Sequence, residues 1–280
     1  ETKEDSIGLN ENSLGTLAIN SEDLSFENKE ILTENKLIEE KMEEYYNGFY
    51  KELSRLDELG NNFTKIESFL PELNGHEKIL DIGCGHGGVC HKLIEKGFHV
   101  SGVEINQEAI VSLKKKNFNV IECDITKKLN IKEKFEVVLL LDILEHLFDP
   151  YLLLEESKKI TSKNGYIIAT IPLYFDLVDR FKILFTGSVI SMDNLCYGQE
   201  FYEKFRSYNY DHIRFFRPKE VFEMGNNLGL KLDKVEYQVT GYGGKNLLFK
   251  ILTKLIANKY TLSLNPSLLA HSMKVRWKVE

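Results

Sequence analysis

The chain has 280 residues, enough for one large domain or two small ones with a proper core. At 42% hydrophobic and 28% charged it has an ordinary globular composition, and no apolar run reaches the roughly eighteen residues that a membrane span needs. The net charge of −7 is concentrated at the start. Residues 1–40 hold eleven acids against three lysines, so the rest of the chain is near +1 and lacks the basic footprint of a nucleic-acid binder.

Four cysteines, Cys84, Cys90, Cys123 and Cys196, show no CxxC spacing, which points to a reducing, cytoplasmic setting. No secretory signal is visible. The chain opens on Glu1 and not on methionine, so it reads as a portion of something longer.

Residues 1–35 are polar and acidic and read as a flexible lead or linker. A domain is expected over 36–280. It begins with an amphipathic helix over 36–59, in which Met42, Tyr45, Tyr46, Phe49, Leu53 and Leu56 recur near helical spacing. Short apolar strands then alternate with helices. Strands are expected at 78–82, 99–104, 119–122, 135–141 and 165–171, with helices at 87–96, 107–115 and 150–159. Runs such as "FEVVLLL" and "GYIIATI" are apolar on both faces, as strands covered on two sides must be. The pattern predicts a doubly wound α/β sheet with parallel crossovers.

After Ile171 the alternation stops. Residues 173–216 hold twelve aromatics in 44 positions, beyond a strand's carboxyl end, where open α/β sheets bind ligands. They read as a helical insert with its own small core, as an aromatic cap over a substrate, or as both. Gly225–Gly229 leads into a strand at 231–238. A glycine loop at 241–244 opens an amphipathic helix over 245–260, and a last strand is expected near 269–279.

The chemistry centres on "KILDIGCGHGGVC", residues 78–90, where a glycine turn follows a strand and opens a helix. Gly83, Gly85 and Gly88 satisfy G-x-G-x-x-G, which alone fits a dinucleotide. Asp81 argues against that, because a carboxylate at the turn repels a pyrophosphate, whereas a sulfonium and an ammonium benefit from it. Three more acids fall at successive strand ends: Glu104 lies 21 residues after Gly83, Asp124 20 after that, and Asp142 18 further on. Each crossover returns to the same sheet edge, so four carboxylates should ring one crevice.

On these residues the chain resembles the class I S-adenosylmethionine-dependent methyltransferases, a Rossmann-like family, from about residue 40 to 245. The resemblance implies S-adenosylmethionine as cofactor and S-adenosylhomocysteine as product. It places Gly83, Cys84, Gly85 and Gly87 against the methionyl and ribose parts, with Asp81 near the ammonium group. Glu104, with Ile105 beside it, would accept from the ribose hydroxyls. Asp124 would accept from the adenine amino group, with the Ile125 N–H at the ring edge, and Leu141 and Asp142 would close the methionine end. As alternatives, Glu104 is a plain helix N-terminal acid and Asp124 a helix cap, while the His86 and Cys84 side chains read as loop filler.

"LLLDILEHLFDP" (139–150) is similar to the D-x-x-E-H segment of ubiquinone-pathway and other small-molecule O-methyltransferases. An oxygen acceptor must lose its proton, which calls for a base titrating near neutrality. His146 is the first candidate, with Glu145 orienting or assisting it. The plainer reading is that His146 caps the turn and packs. Some relatives with such a pattern bind a divalent ion, and here Asp142, Glu145, His146 and His212 would be the ligands, although Asp shortens the reach at 142. His212 otherwise serves as a second acid/base or substrate contact. Arg214 would bind an acceptor's anionic group or make a surface salt bridge.

In "NLLFKILTKLIANK" apolar and lysine faces are opposed, for docking on the sheet or a partner subunit, or on an anionic membrane surface. The expected activity is O-methylation of a small-molecule or glycan acceptor, as in surface-polysaccharide biosynthesis. RNA-end methylation and a non-catalytic cofactor-binding module are the alternatives.

Overall fold

The computed structural model describes residues 63, 66–173, 176–186, 212–239 and 259–280, all within one compact unit, Asn47–Glu280. The acidic lead, the 36–59 helix, most of the aromatic segment and the 241–258 stretch lie outside the described residues.

Strands β1 (Lys78–Ile82), β2 (His99–Glu104), β3 (Val120–Glu122) and β4 (Phe135–Leu141) alternate with helices α1 (Gly88–Glu95) and α2 (Gln107–Lys115). Local chemistry sets the helix starts. Asn106 accepts from the Ala109 N–H to begin α2, and Asp149 accepts from Leu152 ahead of Pro150 to begin α3 (Pro150–Ile160). A 3-10 turn over Leu144–His146 separates β4 from α3. Strand β5 (Thr161–Pro172) follows, then α4 (Leu177–Thr186), α5 (Pro218–Asn227), β6 (Lys231–Gln238), the short helices α6 (Lys259–Leu264) and α7 (Pro266–Leu269), and β7 (Ser272–Lys278).

The seven strands run in the order β3-β2-β1-β4-β5-β7-β6. Strands β1 to β5 pair in parallel, and the order reverses between β1 and β4. Each face buries its own core. Leu80, Ile82, Val138 and Leu140 point to one side; Ile79, Val137 and Leu139 point to the other, against Cys90 and Leu93 of α1.

The sheet is mixed, because β7 inserts antiparallel between β5 and β6. Helix α5, which the sequence reading did not place, runs past Gly225, and the turn at Gly229 leads into β6 as expected. Pro218 at its first position and Glu220 accepting from the Arg217 N–H start that helix. Gly225 is there for packing, since a Cβ at that position would meet the buried Trp277 indole of β7. Among the described residues no helix is long and apolar enough to cross a membrane.

Gly225→Ala should therefore destabilise the protein by about 1–3 kcal/mol through overpacking, although alanine is the better helix former. Urea unfolding should show a lower midpoint at unchanged slope.

Candidate active site

The glycine turn leaves β1 at the point where strand order reverses, the place where open α/β sheets take ligands. Gly83, Gly85 and Gly87 all have positive φ, at 74°, 52° and 78°. A Cβ on Gly83 would come within 2.8 Å of the Ile143 side chain, and one on Gly87 within 2.7 Å of Leu113. A Cβ on Gly85 meets nothing within 4 Å, so this glycine faces open space.

Four of the turn's N–H groups, those of Gly83, Cys84, Gly85 and Gly87, are spent internally. Gly83 and Cys84 donate to the Val103 carbonyl at 2.9 and 3.1 Å, and Gly87 donates to Cys84 at 2.9 Å. Gly85 donates to Glu104 Oε2 at 2.7 Å. The other oxygen of Glu104 accepts from the Ile105 and Asn106 N–H groups at 2.8 and 2.9 Å. Glu104 is 2% exposed and thus ties the turn to the end of β2. Backbone donors fill three of a carboxylate's roughly four acceptor positions, leaving about one for a ligand. A diphosphate would find these four N–H groups already committed and a carboxylate beside them.

Asp81 lies under the turn, at the end of β1. It follows Ile79 onto the face covered by α1, is 3% exposed, and accepts from Cys90 Sγ at 3.3 Å. Burial, with the Glu104 charge adding to it, pushes its carboxyl up to about 7. Its charge is therefore a weaker objection to a diphosphate than the sequence implies. Cys84 is not loop filler either. Its side chain is buried against β2, where Gly102 has no Cβ to obstruct the sulfur.

Asp124 accepts from the Thr126 N–H and hydroxyl at 2.9 and 2.6 Å, with Lys127 Nζ 3.2 Å away. Burial pushes this carboxyl up, but the Thr126 donors and the Lys127 ammonium outweigh it and hold it low. Ile105, Ile125 and Leu141 are half-buried around the crevice, and so is His86 within the loop.

Asp142, directly after β4, has φ 50°, a left-handed conformation costly for a non-glycine residue. Its N–H donates to Thr170 Oγ1 at 2.9 Å, while the Thr170 hydroxyl lies 2.7 Å from Asp142 Oδ1 and donates to it. This reciprocal pair on β5 holds the strained turn.

The turn leads to a second cluster. Glu145 is fully buried, and its Oε1 lies 3.9 Å from both the His146 and the His212 Nε2. The imidazole rings meet edge to face at 4.7 Å. Each of the three offers a ligand atom within 4.8 Å of the others. His212 arrives because Ile213 and Arg214 donate their N–H groups to the Glu145 carbonyl at 2.9 and 3.0 Å. Burial, then the neighbouring His146, pushes the His212 imidazole down to about 4, so it is neutral at physiological pH. Of the four candidate metal ligands, three converge, while Asp142 is engaged with Thr170. The Arg214 guanidinium donates to the Leu147 and Phe148 carbonyls, bracing the turn.

Beside this cluster lies a cavity of about 300 Å³, whose lining includes Asp142, Glu145, Thr170, His212, Gln238, His271, Ser272 and Lys274. The residues from β6, β7 and the turn before β7 were not singled out in sequence. The alternation of Ser272, Lys274, Arg276 and Lys278 with Met273, Val275 and Trp277 is the signal that marks them.

A glycine turn at the switch point, tied to a strand-end acid and facing an open crevice, defines an S-adenosylmethionine-dependent methyltransferase site. Residues 53–235 match the family model described as a methyltransferase domain, and the chain belongs to the class I S-adenosylmethionine-dependent methyltransferases. It is 29% identical over 193 residues to the ubiquinone biosynthesis O-methyltransferase of Pelagibacter ubique, spanning 65% of this chain and 75% of that one. The enzyme of the same name from Saccharophagus degradans is 24% identical over 196 residues, spanning 67% and 76%. Among solved structures, a SAM-dependent methyltransferase from Thermotoga maritima matches with TM-score 0.56 at 18% identity, over 85% of this chain and 100% of that one. One from Archaeoglobus fulgidus matches at 0.53 and 19%, over 82% and 98%. These structural likenesses concern the fold.

The raised Asp81 value sets a pH dependence. A folded-state value of about 7 against an ordinary 3.8 means that the native state holds this proton more tightly than the unfolded chain. Its contribution is fully present below about pH 4 and is lost as pH rises through 7, on the order of 4 kcal/mol in all. Denaturant titrations should show this decline in the wild type and a flatter profile in Asp81→Asn.

Proposed function

We propose that this methyltransferase acts on a hydroxyl of a small-molecule acceptor, a phenol or a glycan sugar, held in the cavity at the ends of β4, β5 and β7. The observation that carries this reading is that Glu145 and His212 line that cavity, with His146 packed against both of them. The relatives' designation as O-methyltransferases supports oxygen as the target.

When bound, S-adenosylmethionine supplies an electrophilic methyl group on a sulfonium leaving group. The residues present fit it. Gly85 leaves room along the turn, Glu104 keeps an acceptor position for a ribose hydroxyl, and Asp124 offers an acceptor for the adenine amino group. Asp81 is a buried carboxylate under the turn, which a nearby ammonium group would favour in its ionised form.

The enzyme's own work is then placement and proton removal. His146, side chain 13% exposed, is the candidate base, with the Glu145 carboxylate beside it to stabilise the imidazolium that forms. His212 is neutral, and its depressed basicity suits a hydrogen-bonding role toward the acceptor. Braced by Thr170, the Asp142 turn fixes where the 3-10 turn starts and so where His146 stands.

A second reading rests on the same cluster. One carboxylate and two imidazoles within 4.8 Å form a donor set suited to a divalent transition ion, with an acceptor's hydroxyl oxygens completing the shell. The two readings diverge on chelation. If His146 is the base, EDTA leaves activity intact. If the cluster holds a metal, EDTA abolishes activity and a divalent ion restores it.

His146→Ala should lower kcat by about 10²–10⁴-fold while leaving S-adenosylhomocysteine affinity unchanged. Glu104→Gln should do the opposite, weakening S-adenosylhomocysteine at least about tenfold in calorimetry, since charge-assisted hydrogen bonds to the ribose and the Gly85 turn are lost together. Tight NADH binding with indifference to S-adenosylhomocysteine would refute the cofactor assignment.

A further inference from the structure

One wall of the cavity is laid by register. Across β5, β7 and β6, Thr170 stands beside Lys274 and Lys274 beside Glu236; in the next row, Pro172 stands beside Ser272 and Ser272 beside Gln238. Lys274 is 4% exposed, yet its ammonium makes one hydrogen bond among the described residues, to Glu236 Oε1 at 2.7 Å. Its other near neighbour is the Phe69 ring, whose centroid lies 5.8 Å away. An ammonium has three donors, so two remain unspent on a buried cation in a cavity wall. Glu236, with its side chain 41% exposed, shares its charge with water and compensates the cation only in part. Ser272 and His271 line the same wall.

The cavity lining therefore carries two unlike groups, the Glu145–His212 pair with His146 packed on it and a partly compensated cation. We propose that Lys274 binds an oxyanion carried by the acceptor, a carboxylate or a phosphate, while the hydroxyl to be methylated lies toward Glu145 and His212. The acceptor is then an acidic hydroxylated molecule, and β7 selects it. This inference rests on reading the cavity as the acceptor site, and it deepens that reading.

The test is calorimetry on the full chain saturated with S-adenosylhomocysteine, so that binding is read independently of transfer. The probes are 3,4-dihydroxybenzoate against catechol and glucuronate against glucose, pairs that differ in a carboxylate, with inorganic phosphate as a third arm. At least one carboxylated probe should bind tenfold or more tightly than its uncharged counterpart. Competition by phosphate at millimolar concentration would extend the site to phosphorylated acceptors, and its failure to compete would restrict it to carboxylates. Lys274→Met should remove the carboxylate preference. Glu236→Gln, which keeps the ammonium and frees its third donor, should raise affinity for the same probe severalfold, and it decides the matter if Lys274→Met fails to fold. Equal binding within both pairs, or Glu236→Gln that loses stability with unchanged selectivity, would show that Lys274 and Glu236 are a structural ion pair and overturn the proposal. Anion-selective binding with no methyl transfer to any acceptor would instead count against the proposed function and leave the Lys274 site standing.

Discussion

The arrangement of this protein depends on one buried carboxylate. Glu104 accepts from Gly85 across the turn and from Ile105 and Asn106 in its own strand-to-helix connection. By doing so it satisfies backbone groups that two adjacent turns would otherwise bury unpaired, at a cost of about 1–3 kcal/mol each. It also bears on what kind of ligand the turn can take. A glycine turn with free N–H groups is an anion cradle. Here four of those groups are bonded to Val103, Cys84 and Glu104, and the Glu104 charge at the turn favours a cationic ligand over a phosphate.

The second constraint lies across the switch point, after β4. Asp142 adopts a backbone conformation that costs a non-glycine residue about 1–3 kcal/mol, and the two hydrogen bonds it exchanges with the Thr170 side chain hold it there. The chain then turns at once into Leu144–His146, buries Glu145, and presents its carbonyl to Ile213 and Arg214. One strained residue therefore sets the position of the base candidate and of the segment that brings His212 to it. Arg214 holds the same turn from outside through two carbonyls.

Much of this was legible in the residue pattern. Strands buried on both faces, such as Phe135–Leu141, declare themselves as continuous apolar runs, and Asn106 and Asp149 mark helix starts through chemistry contained in a few residues. The regular spacing of Glu104, Asp124 and Asp142 followed from the crossover geometry, since each returns the chain to one sheet edge. Helix α5 was not placed from the sequence, and only the neighbour Trp277, 52 positions away, explains the glycine near its end. The environment of Asp81 was likewise hidden. Its position in sequence says that it precedes the turn, but which face of β1 it occupies depends on register with β2 and β4 and on Cys90 from α1.

The sequence by itself determined the alternating architecture, the glycine turn, the acids at the strand ends and the family, because each is written in short-range periodicity or in a motif of adjacent residues. Tertiary structure decided the direction and place of β7, the protonation of Asp81, the commitment of the loop N–H groups, and the meeting of His146 with His212. These depend on pairings between residues far apart in the chain. Such pairings are selected by the burial of whole faces and the satisfaction of buried polar groups, which no local window of residues contains.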